Sequence, residues 1–171
     1  KCHPTAEIAA AVQSFITSRE AQPGVYLYFD VGGGTLDGVG FSFVRSDGRP
    51  KIDFHSGKVE PLGIEVLSRH PGVSDPTRVL AGLHDDPMPD WLPLELKDAK
   101  TPVQRLVAHV VRNAKLKDRD GWTQGHLMRL LPIWKRTVTI LNASKDPVPV
   151  FVGGGGAASP WYRTTILSTH G

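Results

Sequence analysis

The chain has 171 residues, 40% of them hydrophobic and 22% charged, with 20 Lys and Arg against 17 Asp and Glu for a net charge of +3. That length suits one domain and that apolar fraction can build a core, which excludes a disordered chain, a collagen repeat and a coiled coil. A single cysteine, Cys2, leaves no partner for an internal disulfide, and no apolar run reaches the roughly 20 residues of a membrane span.

The start, Lys1-Cys2-His3-Pro4, carries neither an initiator Met nor a secretion signal. It reads as a piece of a longer protein from a reducing, cytoplasmic setting. Residues 6–17 place Ile8, Ala9, Val12, Phe15 and Ile16 at helical spacing. After the break at Gln22-Pro23-Gly24, the run Val25-Tyr26-Leu27-Tyr28-Phe29 predicts a strand buried on both faces. Gly32-Gly33-Gly34 turns the chain into a second predicted strand at 36–45. A turn at Asp47-Gly48-Arg49-Pro50 leads to a third at 51–59.

Residues 71–100 are rich in Pro, Gly and Asp and read as an irregular insertion with one short helix at 76–83. Thr101-Pro102-Val103-Gln104 has the residues of a helix start, and Val103, Leu106, Val107, Val110, Val111 and Ala114 continue it as one apolar face. A second helical stretch carries Leu127, Leu130, Leu131, Trp134, Val138 and Leu141, interrupted at Pro132. The basic residues between Arg105 and Arg136 alternate with apolar ones at helical spacing, as on a solvated helix face, and no nucleic-acid signature accompanies them. Residues 148–152 predict a last strand running into Gly153-Gly154-Gly155-Gly156, and Ser159-Pro160 the start of a closing helix. The result is α/β: a mixed sheet of a three-stranded meander plus a parallel strand, covered by helices.

Two strand-to-glycine junctions carry the candidate chemistry. In Asp30-Val31-Gly32-Gly33-Gly34-Thr35-Leu36-Asp37, glycines permit positive φ and close approach to a ligand, and successive N–H groups can form an anion-binding concavity. Thr35 adds a hydroxyl. Asp30 and Asp37 beside an anion call for a cation between them, for which Mg²⁺ retaining its waters is suited. A plain hairpin turn is the alternative. From Gly153 to Ala158 the chain matches G-x-G-x-x-A, but only 13 residues follow Ala158 and none is acidic, so a dinucleotide fold is excluded. His84-Asp85-Asp86 has no further ligand at metal-site spacing, Cys2, at a terminus, is a poor nucleophile candidate, and His109 falls at the edge of an apolar face. Trp161 and Tyr162 suit core anchors of the closing helix, with base stacking as the other reading.

Residues 30–37, DVGGGTLD, resemble the second phosphate-binding motif of the actin-like ATPases, closest to the heat-shock chaperone form DLGGGTFD and differing at Val31 and Leu36. Residues 150–155 resemble the adenosine motif of that superfamily, and Leu62-Gly63-Ile64-Glu65 its Leu-Gly-Gly-Glu, with Ile64 replacing the second Gly. His3-Pro4-Thr5-Ala6 is similar to its Glu-Pro-Thr-Ala, with His in place of Glu. The resemblance implies one ribonuclease-H-like lobe spanning 1–171 and a first lobe missing from this chain. It implies ATP or ADP with Mg²⁺ as ligands. Gly32, Gly33, Gly34 and Thr35 would then hold phosphates, and Gly153, Gly154 and Gly155 the adenosine. Asp30 and Thr35 would be catalytic, with Asp30 and Asp37 holding Mg²⁺ through water. The family's adenine-stacking Arg falls on Ala157. Hydrolysis in the intact two-lobed protein would switch affinity for a protein partner, with no nucleic acid or membrane involved. The alternative is a non-hydrolysing actin-like scaffold, and a sugar-kinase relative is a third reading.

Overall fold

A computed structural model describes residues 7–18, 21–119 and 148–169. The helical stretch expected around 127–141 and the segment at His3–Ala6 lie outside the described residues. Helix α1 (Glu7–Thr17) precedes a hairpin pair of strands, β1 (Gly24–Val31) and β2 (Leu36–Ser46), and a third, β3 (Arg49–Glu60). Helices α2 (Ile64–Ser68), α3 (Pro76–His84), α4 (Leu92–Glu95) and α5 (Lys97–Arg119) follow. Strand β4 (Val150–Gly153) and α6 (Pro160–Leu167) close the described chain.

The sheet order is β3-β2-β1-β4, antiparallel through the meander and parallel between β1 and β4. This is the ribonuclease-H-like arrangement expected from the sequence. Strand β1 is apolar and aromatic from Val25 to Phe29 because both of its faces are covered, and its one charged residue, Asp30, comes near its end. Leu27, Phe29 and Val31 enter the larger core with α2 to α6, while Tyr26 packs with Val12 and Ile16 of α1 on the other side. The β2–β3 turn is Asp47-Gly48, with φ of 53° and 74°. Both residues are left-handed, as a two-residue hairpin turn matched to strand twist requires.

The 71–100 segment corrects the expectation of an irregular insertion. It contains α3, α4 and the first turn of α5, and its Val79, Leu83, Leu92, Leu96 and Ala99 are fully buried. Leu92, Leu96, Ala99 and Val103 continue at helical spacing across Pro93 and Pro102, so burial of that stripe overrides the local proline signals. Helix α5 therefore begins at Lys97 and not at Thr101, with Pro102 inside it. The Arg78 guanidinium lies 3.9 Å above the Trp91 ring and ties α3 to the start of α4. The closing helix starts as expected, the Tyr162 N–H donating to Ser159 Oγ at 3.5 Å with Pro160 in the first turn.

Candidate nucleotide site

The end of β1 gathers both glycine turns. Asp30 is paired with Asp37 across β2 and with Gly153 across β4. Paired residues share a face of the sheet, so the two carboxylates stand side by side on the α1 face, two residues beyond Tyr28. A Cβ on Gly153 would fall 2.1 Å from the Tyr28 hydroxyl, and one on Gly154 2.2 Å from Asp30 Oδ1. Glycine at these positions is what lets the second turn close over the end of β1. The Gly156 N–H completes the contact by donating to the Val31 carbonyl at 2.9 Å.

The first glycine run does not use the positive φ open to it: none of Gly32, Gly33 and Gly34 is left-handed, whereas Gly154 is, at φ 81°. Instead the first run is held by its carbonyls. Those of Gly32, Gly33 and Gly34 accept from the N–H groups of Ile64, Glu65 and Gly63 at 3.0, 2.9 and 3.3 Å. The Gly32 N–H donates to the Thr35 carbonyl at 2.9 Å. The three anchored carbonyls share their peptide planes with the N–H groups of Gly33, Gly34 and Thr35. In a trans peptide these point the opposite way. Three successive amide donors therefore face away from α2, on a turn where Gly34 and Thr35 are exposed. A Cβ on Gly34 would meet nothing within 4 Å. Successive outward amides on an open turn are one requirement of an anion-binding backbone.

The residues fit a hydrated divalent ion. Asp37 Oδ1 is buried and lacks a hydrogen-bond partner among the described residues, next to the Asp30 carboxylate. No cluster of three or more His, Cys, Asp or Glu forms among the described residues. Two oxygens suit an ion that keeps most of its waters better than one stripped of them.

Sequence reasoning gave Gly63 no structural role, and it is the residue that lets α2 dock on the first turn. A Cβ there would lie 2.3 Å from the Gly33 carbonyl oxygen. Tyr28 was missed as well, although its position two residues before Asp30 places it on the same face. Trp161 and Tyr162 are buried core anchors, not exposed stacking surfaces. The Tyr162 hydroxyl donates to the Leu62 carbonyl, joining α6 to the segment that holds the first turn.

Burial raises the Tyr162 phenol well above its ordinary value of 10.0. The folded state favours the neutral phenol, so its contribution is intact below pH 10. It is lost above that, at about 1.4 kcal/mol per pH unit. Tyr162→Phe is expected to remove this slope and to cost about 1–3 kcal/mol at neutral pH, because the Leu62 carbonyl loses its donor. Urea unfolding at neutral and strongly alkaline pH checks both effects.

The described residues form a mixed α/β fold of ribonuclease-H-like strand order with two glycine turns at the end of β1. No family model matches the chain, and no curated protein matches it. Among solved structures it is similar to a crystal structure of the Aquifex aeolicus member of the Ppx/GppA protein family, with 9% identity and a TM-score of 0.29. The match covers 78% of this chain and 36% of that one, so the chain spans about a third of that structure's length. A likeness that loose assigns no role to any residue. Among the described residues, no helix is long and apolar enough to cross a membrane.

Proposed function

We propose that this chain is one nucleotide-binding lobe of an actin-like ATPase of the heat-shock chaperone type. The observation that carries the reading is the set of three amides at Gly33, Gly34 and Thr35, directed outward by the anchoring of their partner carbonyls on α2. Those amides and the Thr35 hydroxyl would bind the terminal phosphates of ATP. The Gly153–Gly155 turn, with Gly155 exposed and no atom within 4 Å of its missing side chain, would lie along the adenosine. Asp30 and Asp37 would hold Mg²⁺ through its waters, and the ion would supply charge neutralisation for the phosphates. The Asp30 carboxylate would orient the attacking water. Catalysis of this kind is mostly positioning and charge stabilisation.

In the intact protein a second lobe would close on the nucleotide, and closure would alter affinity for a protein partner. Calorimetry tests the lobe directly. Residues 1–171 alone lack half of the cleft, so binding of MgATP at roughly millimolar Kd without turnover is expected. Steady hydrolysis by this chain alone would contradict the two-lobe reading. Ala157, at the position of the adenine-stacking Arg, favours a second reading, a non-hydrolysing scaffold with weakened adenosine contacts. Calorimetry together with a phosphate-release assay of the intact protein separates the two, since a scaffold would bind MgATP weakly at most and release no phosphate.

A further inference from the structure

Among the described residues, β3 is an edge of the sheet, and it is 12 residues long. It leaves Phe54 48% and Val59 62% exposed. A long edge with exposed apolar side chains is a template for another strand unless something covers it. The β2–β3 register shifts at Gly40/Phe41, so Phe41 opposes Phe54, Gly40 opposes Ser56, and His55 is the extra residue of a bulge. The bulge resets the alternation of faces. Ile52 and Phe54 lie opposite Phe43 and Phe41 on the α1 face, and beyond the bulge Gly57 and Val59 lie on that face too, opposite Val39 and Asp37. Lys51, Asp53, Lys58 and Glu60 share the opposite face with Ser56, whose hydroxyl donates to the Val110 carbonyl of α5 at 2.9 Å.

We propose that this edge pairs antiparallel with the same edge of a second copy of the chain, about a two-fold axis between His55 and Ser56. In that register Lys51 meets Glu60 of the second copy, Asp53 meets its Lys58, Ile52 meets its Val59, and Phe54 meets its Gly57. An unbulged strand could not pair with itself this way, because the partners would stand on opposite faces. The bulge is what makes the faces agree. Within one strand Lys51 is 3.8 Å from Asp53 and Lys58 is 2.9 Å from Glu60. Pairing would join these into closed rings of four alternating charges, one on either side of the axis. On the other face a Cβ at Gly57 would meet only the Gly38 carbonyl oxygen, at 3.8 Å, which leaves room for the Phe54 ring of the second copy. Main-chain bonds supply the affinity of strand addition, and opposed charges set the register. The contact is self-complementary, so it closes at a dimer.

Sedimentation and a register-specific cross-link test the proposal, both in a Cys2→Ser background. Opposed residues have Cβ atoms about 4.5–5.5 Å apart, within reach of a disulfide. Two copies of Ile52 would lie roughly 20 Å apart along the strands. Oxidising a mixture of Ile52→Cys and Val59→Cys chains is therefore expected to give a cross-linked dimer, and either variant alone is not. Val59→Lys should raise the dimer Kd by about tenfold or more with little change in melting temperature, because its side chain is exposed. A monomer at concentrations up to about 100 μM, where even weak specific pairs associate, would overturn the proposal. So would a dimer indifferent to Val59→Lys, or equal cross-linking by each variant alone. Nucleotide binding at the glycine turns is read separately and does not depend on the outcome.

Discussion

Gly63→Ala is expected to lower stability by about 2–4 kcal/mol, a melting shift of roughly 5–15 °C for a domain of this size. Gly63 has φ −70° and ψ 166°, a conformation open to any residue, so no backbone strain enters. The cost is contact alone. The added Cβ would lie 2.3 Å from the Gly33 carbonyl oxygen and 2.5 Å from the carbonyl carbons of Gly33 and Gly34. All three atoms are backbone, so no side chain can rotate away. Relief requires α2 to move off the turn, which breaks the bonds from Gly63, Ile64 and Glu65, each worth about 1 kcal/mol. The same movement frees the three peptide planes to rotate, so anion binding should fall with stability. Gly34→Ala is the control. Its Cβ meets open space and its φ is not left-handed, so thermal melting should agree with the parent within about 0.5 kcal/mol. Equal melting of parent and Gly63→Ala would show that the turn is not held by α2.

If the protein is the two-lobed ATPase proposed above, Asp30→Asn is expected to lower its ATP turnover by a factor of about 100 or more, comparable to removing one positioned catalytic group. The melting temperature should move by only a few degrees. The amide keeps the shape that fits against Gly154 and one acceptor oxygen, and it removes the negative charge beside Asp37. Loss of charge therefore separates from loss of packing. If turnover survives while stability collapses, Asp30 is a structural residue that secures the two glycine turns to each other.

The strands and the first glycine motif were legible in the sequence because their signals are local. A β-branched and aromatic run between turn residues has few alternatives to a buried strand, and Asp47-Gly48 has few alternatives to a hairpin turn. The 71–100 segment was misread because its prolines and aspartates speak for loops residue by residue. Leu92, Leu96, Ala99 and Val103 speak for a helix only as a stripe, and that stripe runs across two prolines. Among the glycines, spelling alone does not tell which must be left-handed and which must be small. Gly154 needs its φ, Gly63 needs its missing side chain, and Gly34 needs neither. That distinction depends on what approaches each backbone from elsewhere in the fold. The outward direction of the three amides has the same origin, since it is set by α2, whose docking depends on Gly63.

Amide chemical shifts of Gly33, Gly34 and Thr35, followed by NMR while the chain is titrated with MgATP, report directly on whether this turn holds phosphate. Saturating shifts at these three amides, with smaller ones at Gly153 to Gly155 and a midpoint at roughly millimolar nucleotide, are the expected result. Adenosine without phosphates should leave the first turn unmoved. If the three amides do not respond at about 10 mM MgATP, well above that midpoint, or respond no more than residues remote from the turn, the turn is a hairpin and not a phosphate site.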